Sequence, residues 1–531
     1  MKAHEGQAGT IVRSAFVALF LSTSVAALAQ VIAPPSVSPP HQSRLPLNQY
    51  IDPAELTGDV CDLGDTATDC AKKLHDESTR YFKSVGVYDS IDANGIGHPS
   101  ADRGTFKAWK QRFEFAVDAT TAVAPEIRAA YFNNGDLQFG RDMHCRSHTN
   151  TGPTGAISSI THACYVSNFT SDTSTAGLNK PGPVFDPAVD PTRSADDAAL
   201  AIHPIATVAM EVDAFLSGGD RSGGLRFERF GDVRFLAYVG DGTPFQEPAL
   251  DSENVKAIPG LCMACHGGTY VSAVKPGGPK VAKGNFLPFD TSNYFLPTSG
   301  KLRDGAGRPL DLNEQFRKLN SFVRSTQPPR QTITDLIDGW YTWCGGVQTS
   351  GCAIDNMNVN HAFVPSGPCP ASDVNGEKTC GWSDSNNATF YTEVVAKYCR
   401  SCHVALSEHF NVQNFSTWKS GQGGNAAPIA VQTNHRMPYA EVPYVLFQRN
   451  TQGPSGKGAR DFFDAFFAGK ALVNKDEICG NANDGQTASC PSGTSCGPRT
   501  TISGQRSFWC AVFGINCPVT LTSTDFFCDA P

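Results

Sequence analysis

The chain has no clustered run of lysine or arginine, and its 43 basic residues are outnumbered by 51 acidic ones, for a formal net charge of −8. Nucleic acids and anionic membrane surfaces are recognised through basic patches, so neither has an electrostatic footprint here. Beyond residue 29 no stretch approaches the roughly 18 consecutive apolar residues that a spanning helix needs. A Gly-rich phosphate loop and a Gly-x-Ser-x-Gly elbow are also missing, which removes the usual signatures of nucleotide binding and of serine hydrolysis. Methionine is scarce, with six in 531 residues, so Met143, Met210, Met263, Met357 and Met437 can each be weighed singly. Cysteine is not scarce. Eighteen cysteines are more than a reduced cytosolic enzyme of this size carries, and they point to disulfides, metal or haem. The length allows about three domains and at least one sizeable core.

The N-terminus has the form of a secretory signal. Lys2 and Arg13 supply a positive start, residues 15–28 an apolar stretch, and Ala27-Leu28-Ala29 a small-residue cleavage site before Gln30. An uncleaved membrane anchor is the alternative. The expectation is a periplasmic protein with residues 1–29 removed and no transmembrane anchor thereafter. That compartment is oxidising, which suits the cysteine count.

Two segments dominate the chemistry. Residues 262–266 read Cys-Met-Ala-Cys-His and residues 399–403 read Cys-Arg-Ser-Cys-His. Both are C-x-x-C-H, the attachment pattern of c-type haem, and this composition yields one such match by chance only about 0.015 times. Two thiols one helical turn apart can add to the two vinyl groups on one edge of a porphyrin. The next residue, histidine, then lies under the ring and binds the iron. The cofactor-binding residues are therefore Cys262, Cys265, Cys399 and Cys402, with His266 and His403 as proximal metal ligands. A zinc site would use the same residues but needs two further ligands near each pair. Plain disulfides are the other alternative.

These motifs, and the segment around the second, make the chain resemble the c-type cytochromes over about a quarter of its length. The resemblance implies two haems attached covalently after export to a bacterial periplasm. It also implies that residues 386–474 form a compact haem domain. A helix runs into the second motif, a polar loop leads to Met437-Pro438, and a closing helix rich in phenylalanine follows. Haem iron usually takes a distal Met or His. For the second haem Met437 is the expected ligand, with His435 or His409 as alternatives. For the first haem, residues 267–356 contain no Met or His. Its distal ligand must come from Met357 or His361, from Met210, His203, Met143 or His144, or be absent.

The fold class expected is α+β and disulfide-rich, with a mainly β N-terminal region followed by α-helical cytochrome c-like haem domains. The divisions are a signal peptide (1–29), a Pro-rich linker (30–60), the mainly β region (61–250), the first haem region (251–345), a Cys-rich insert (346–385), the second haem domain (386–474) and a Cys-rich tail (475–531). Strands are expected at 129–132 and 137–139 around an Asn-Asn-Gly-Asp turn, at 163–168, at 205–212, and as a hairpin of 225–230 with 233–239. Helices are expected at 69–82, 103–115, 311–325 and 332–343. Gly267-Gly268 would let backbone lie close to the porphyrin edge or make a simple turn. Fourteen cysteines remain for disulfides, with local pairs 61–70, 145–164, 344–352 and 369–380 able to close short loops. If 145–164 is one, it gathers His144, His148 and His162 on a loop, a spacing that matches no firm metal pattern. The function expected is electron transfer to a redox partner protein or a small-molecule donor or acceptor. The alternative is a di-haem peroxidase or oxidase with an open first iron.

Overall fold

Long alternating segments of β-branched, aromatic and small residues set the architecture. The computed structural model describes residues 67–117, 126–151, 157–169, 189–202, 204–216, 227–230, 232–248, 257–271, 280–282, 284–326, 331–341, 359–365, 381–382, 385–406, 412, 415, 443, 446–447, 453, 455–466, 478–481, 495–498 and 525–529. Helix α1 (Ala67–Ser84) carries Asp69 in its first turn and Lys83 in its last, matching the helix dipole. A short hairpin, β1 (Tyr88–Ile91) and β2 (Gly97–Pro99), follows. Helix α2 (Phe106–Arg112) starts where the Thr105 hydroxyl accepts from the Ala108 amide at 3.1 Å.

The chain then builds β3 (Ile127–Asn133), β4 (Gly140–Thr151), β5 (Ile157–Phe169), the short helix α3 (Pro191–Ala199), β6 (Pro204–Leu216), β7 (Phe227–Phe230) and β8 (Arg234–Val239). Helix α4 (Gly260–His266) holds the first motif. A small hairpin of β9 (Thr269–Val271) and β10 (Lys280–Ala282) follows, then β11 (Tyr294–Phe295). All strands of the main sheet are antiparallel, in the order β11-β3-β4-β5-β6, with β8 and β7 both on the far side of β6. The expected hairpin of 225–230 with 233–239 is not formed. β8 pairs Ala206 to Glu211 of β6, and β7 pairs Ala214 to Leu216 of the same strand.

Alternation gives the sheet two faces. On one, Tyr165 meets Phe106, Trp109 and Phe115 edge-on. On the other, Tyr131 packs on Phe289 and Phe316, and His162 on Phe322. Those partners come from the segment after α4 and from α5 (Leu312–Ser325), whose N-cap is Asp311. α6 (Gln331–Trp340) packs beside α5 and adds Ile333, Leu336, Ile337 and Trp340 to the same core. Between the strands, Cys145 and Cys164 are disulfide-bonded as a directly opposed, buried pair. The bond is a cross-strand staple rather than the closure of a surface loop.

The region of the second motif begins with α7 (Ser385–Phe390) and a π-helical turn (Tyr391–Val395). It continues through α8 (Ala396–Tyr398) and α9 (Arg400–His403), and α10 (Ala459–Phe466) comes later. Phe390 stacks on Phe466 at 4.1 Å, in a satellite cluster with Trp382, Tyr391, Phe415, Phe447 and Phe463. In the tail, β12 (Ile478–Asn481), β13 (Ser495–Pro498) and β14 (Asp525–Asp529) form a sheet with β14 in the middle.

The expected fold class is corrected by this arrangement. Strands dominate the core, and the chain does not divide into a β region followed by α-helical cytochrome c-like haem domains. The reason is one of size. Residues 385–398 run on as one helical stretch through a π turn and gather only a satellite cluster, whereas β5 and β6 each run for 13 residues and carry the main core. Val404 and Ala405, directly after the second motif, therefore bury themselves in the main core with Met263 of the first motif and Phe235 of the sheet. The disulfide-rich expectation rests on one bond among the described residues, Cys145–Cys164; the other proposed pairs lie outside the described side chains.

Candidate functional site

The first motif forms a single turn of helix. In α4, Cys262 and Cys265 are three residues apart, so their side chains neighbour each other on one surface. His266 closes the turn, and Gly267 leaves it with φ +63°, a left-handed conformation that only glycine adopts freely. The imidazole of His266 is fixed on two sides. Its Nδ1 lies 2.7 Å from the backbone carbonyl of Asn285, and Phe235 of β8 packs edge-on at 5.4 Å. Although some ring surface stays accessible, the surrounding protein lowers the His266 pKa to about 4 by desolvation. The ring is therefore neutral at pH 7, with Nδ1 donating to the carbonyl and Nε2 left for a metal.

The second motif straddles a helix start. Cys399 is the N-cap of α9, and Arg400, Ser401, Cys402 and His403 make the turn. Arg400, an intervening residue of the motif, is only 2% exposed. Its Nε and Nη2 donate to Asp290 Oδ2 at 2.8 and 2.5 Å, and its guanidinium lies over the rings of Trp340 and Tyr391. A buried arginine needs such a partner, because an unpaired buried charge is very costly.

The two turns meet. The Cys402 thiol hydrogen-bonds to Cys265, and this contact, with burial, raises it well above the ordinary thiol range. Asn285 clamps both sides. Its amide N–H and its Nδ2 each donate to the His266 carbonyl at 2.9 Å, and Nδ2 also reaches the Ala405 carbonyl at 3.5 Å. A Cβ on Gly267 would lie 2.1 Å from the Ala405 oxygen, so this glycine is where the two backbones touch. Thr332 of α6 adds a bond to the Val404 carbonyl at 3.2 Å. The expectation for Gly267 is thereby made specific: its close neighbour in the structure is the chain after the second motif.

All four motif cysteines are free thiols. Burial and the neighbouring Cys265 push Cys262 up to about 12, and burial alone does the same to Cys399. Among the described residues no group of three or more His, Cys, Asp or Glu side chains converges on a point where an ion would sit. The donor set fits haem instead. Each turn offers two free thiols, and each thiol pair is followed by an imidazole. In His266 the second ring nitrogen is engaged, as second-shell orientation of a ligand requires.

No family model, curated protein or solved structure matches this chain. The geometry therefore carries the functional reading unaided. Met437, His435, His409, Met357 and His203 lie outside the described residues. His361 is exposed on a turn. Met143 and Met210 are half-buried against the main core, and Met210 is directly opposite Phe235, the residue that packs on His266. The three histidines expected on one loop lie on strands and are separately engaged. His144 bonds Glu126 and Asp142, His162 bonds Ser147, and His148 faces Glu114. Asn285, Asp290 and the role of Arg400 carried no motif or periodicity by which the sequence could have singled them out. Among the described residues no helix is long and apolar enough to cross a membrane.

Proposed function

We propose that this chain is an exported di-haem c-type cytochrome that passes electrons between a donor and an acceptor outside the cytoplasm. The observation that carries the reading is the setting of His266. Its half-buried ring, held neutral by its surroundings, stands beside two free thiols, and its Nδ1 is held by the Asn285 carbonyl so that Nε2 stays free. Bound haem supplies one-electron chemistry at iron, and the chain supplies ligands, orientation and burial. Cys262 and Cys265 would hold one haem, and Cys399 and Cys402 the second. When bound, each haem would be attached through thioethers between these thiols and its vinyl groups. His266 and His403 are the proximal ligands, and Met437 is the proposed distal ligand of the second haem. The Cys145–Cys164 bond supports an oxidising compartment.

Export of the full chain from a host that attaches haem tests this. The unfolded product should exceed the bare mature polypeptide by two haem masses, and Cys262→Ser with Cys265→Ser should remove one. A colourless product of bare mass overturns the reading. The far-red sulfur-to-iron band of the ferric protein should vanish in Met437→Ala. Its persistence there would assign the ligand elsewhere.

A further inference from the structure

The sequence separates the two attachment motifs by a long stretch, from residue 262 to residue 399, yet the fold sets them thiol against thiol. We infer that they constitute one paired site, in which the thioethers at Cys265 and Cys402 are neighbours and the two haems exchange electrons directly. The inference rests on the di-haem reading above and adds the arrangement of the pair.

Four contacts carry it. The Cys402 thiol lies within hydrogen-bonding contact of Cys265, so the second thiol of each motif is against that of the other. The backbones touch at Gly267 and Ala405, where no side chain beyond hydrogen fits. Asn285, wholly buried, bonds the carbonyls that follow both histidine-bearing turns. The buried Arg400–Asp290 pair fixes the second turn to the segment that also presents Asn285. Met263, Val404 and Ala405 then share one core, so the turns cannot separate without opening it. Charges this close interact strongly across a medium of low dielectric. An electron on one haem makes reduction of the other harder, and the two irons titrate as a coupled pair rather than as independent sites.

Two measurements test this. In the first, haem content is counted in the purified exported chain, and the fully ferric protein is examined by electron paramagnetic resonance beside a single-haem variant, Cys399→Ser with Cys402→Ser. The expected result is two haems per chain, a first-haem signal altered by its neighbour, and a first-haem potential that shifts when the second haem is removed. Two haems whose spectrum and titration equal the sum of independent sites overturn the pairing while leaving the di-haem reading intact. Fewer than two haems overturn that reading instead. The second measurement needs no haem. In the full chain made without haem attachment and carrying Cys262→Ser and Cys399→Ser, diamide should join Cys265 to Cys402. The two thiols lose two hydrogen atoms to the reagent, which becomes the hydrazine, and peptide mass mapping finds the bond. Two thiols that both stay open to alkylation overturn the pairing.

Discussion

Residues 262–266 and residues 399–403 carry the same chemistry but are anchored by different forces. The first turn is fixed by neutral hydrogen bonds, from His266 and Asn285, and by a glycine that allows backbone contact. The second is fixed by a charge buried within the motif itself, Arg400 on Asp290, between two aromatic rings. Neutral bonds can be lost one at a time at modest cost. A buried ion pair fails all at once, because removing one member strands the other. The charge within the second turn therefore depends on a single carboxylate.

The largest expected effect follows from that dependence. Asp290→Ala leaves the Arg400 guanidinium buried without its partner and should destabilise the fold by about 3–5 kcal/mol in denaturant titrations. Replacing both members, Asp290→Leu with Arg400→Met, should recover most of the loss. If the double variant is no better than the single one, the buried ion pair is not what fixes the second turn.

A pH effect of intermediate size comes from the sheet face that supports the first turn. Burial lowers His162 to about 4, below the unfolded value of about 6.5. The unfolded chain then binds the extra proton between those values, so this residue's contribution is complete above pH 6.5 and is lost as pH falls towards 4. The loss should approach 3 kcal/mol at most, and His162→Gln should flatten the slope of unfolding free energy between pH 6.5 and 4. An unchanged slope removes His162 from the account.

The smallest effect is expected at the first turn. Asn285→Ala deletes the side-chain bonds to His266 and Ala405 but keeps the backbone carbonyl that orients the imidazole. It should cost about 1–3 kcal/mol and leave the count of attached haems at two. A loss as large as that of Asp290→Ala would show that the two turns are not held differently.

Local signals were legible and long-range ones were not. The turn at 133–136 predicts that β3 turns back into a hairpin, but the strand expected at 137–139 is still part of the connection and β4 begins at Gly140; alternation predicts β5 and β6, which extend beyond the expected ends. The helix expected at 311–325 forms as α5, with Asp311 as its N-cap. Each of these depends on residues within a few positions of one another. The pairing of β7 and β8 is decided by which edge of β6 is open, and no dipeptide encodes that, so the Gly231-Asp232 turn signal misled. The C-x-x-C-H turns could be found by spacing alone, but not their meeting. Asn285, Asp290 and Gly267 act through partners far along the chain, and such partners leave no periodic trace. The helical haem domain expected at 386–474 failed for a related reason. The helix running into the second motif forms, with a small aromatic cluster around it, but the residues just after the motif are buried in the main core by partners far along the chain.

The bond between Cys145 and Cys164 joins strands whose register is already set by their pairing along the whole length of β4 and β5. Oxidation therefore locks an arrangement that strand pairing has already chosen. A slip of one residue between β4 and β5 would turn the two sulfurs to opposite faces of the sheet, so the bond holds the same register that the side-chain pattern sets.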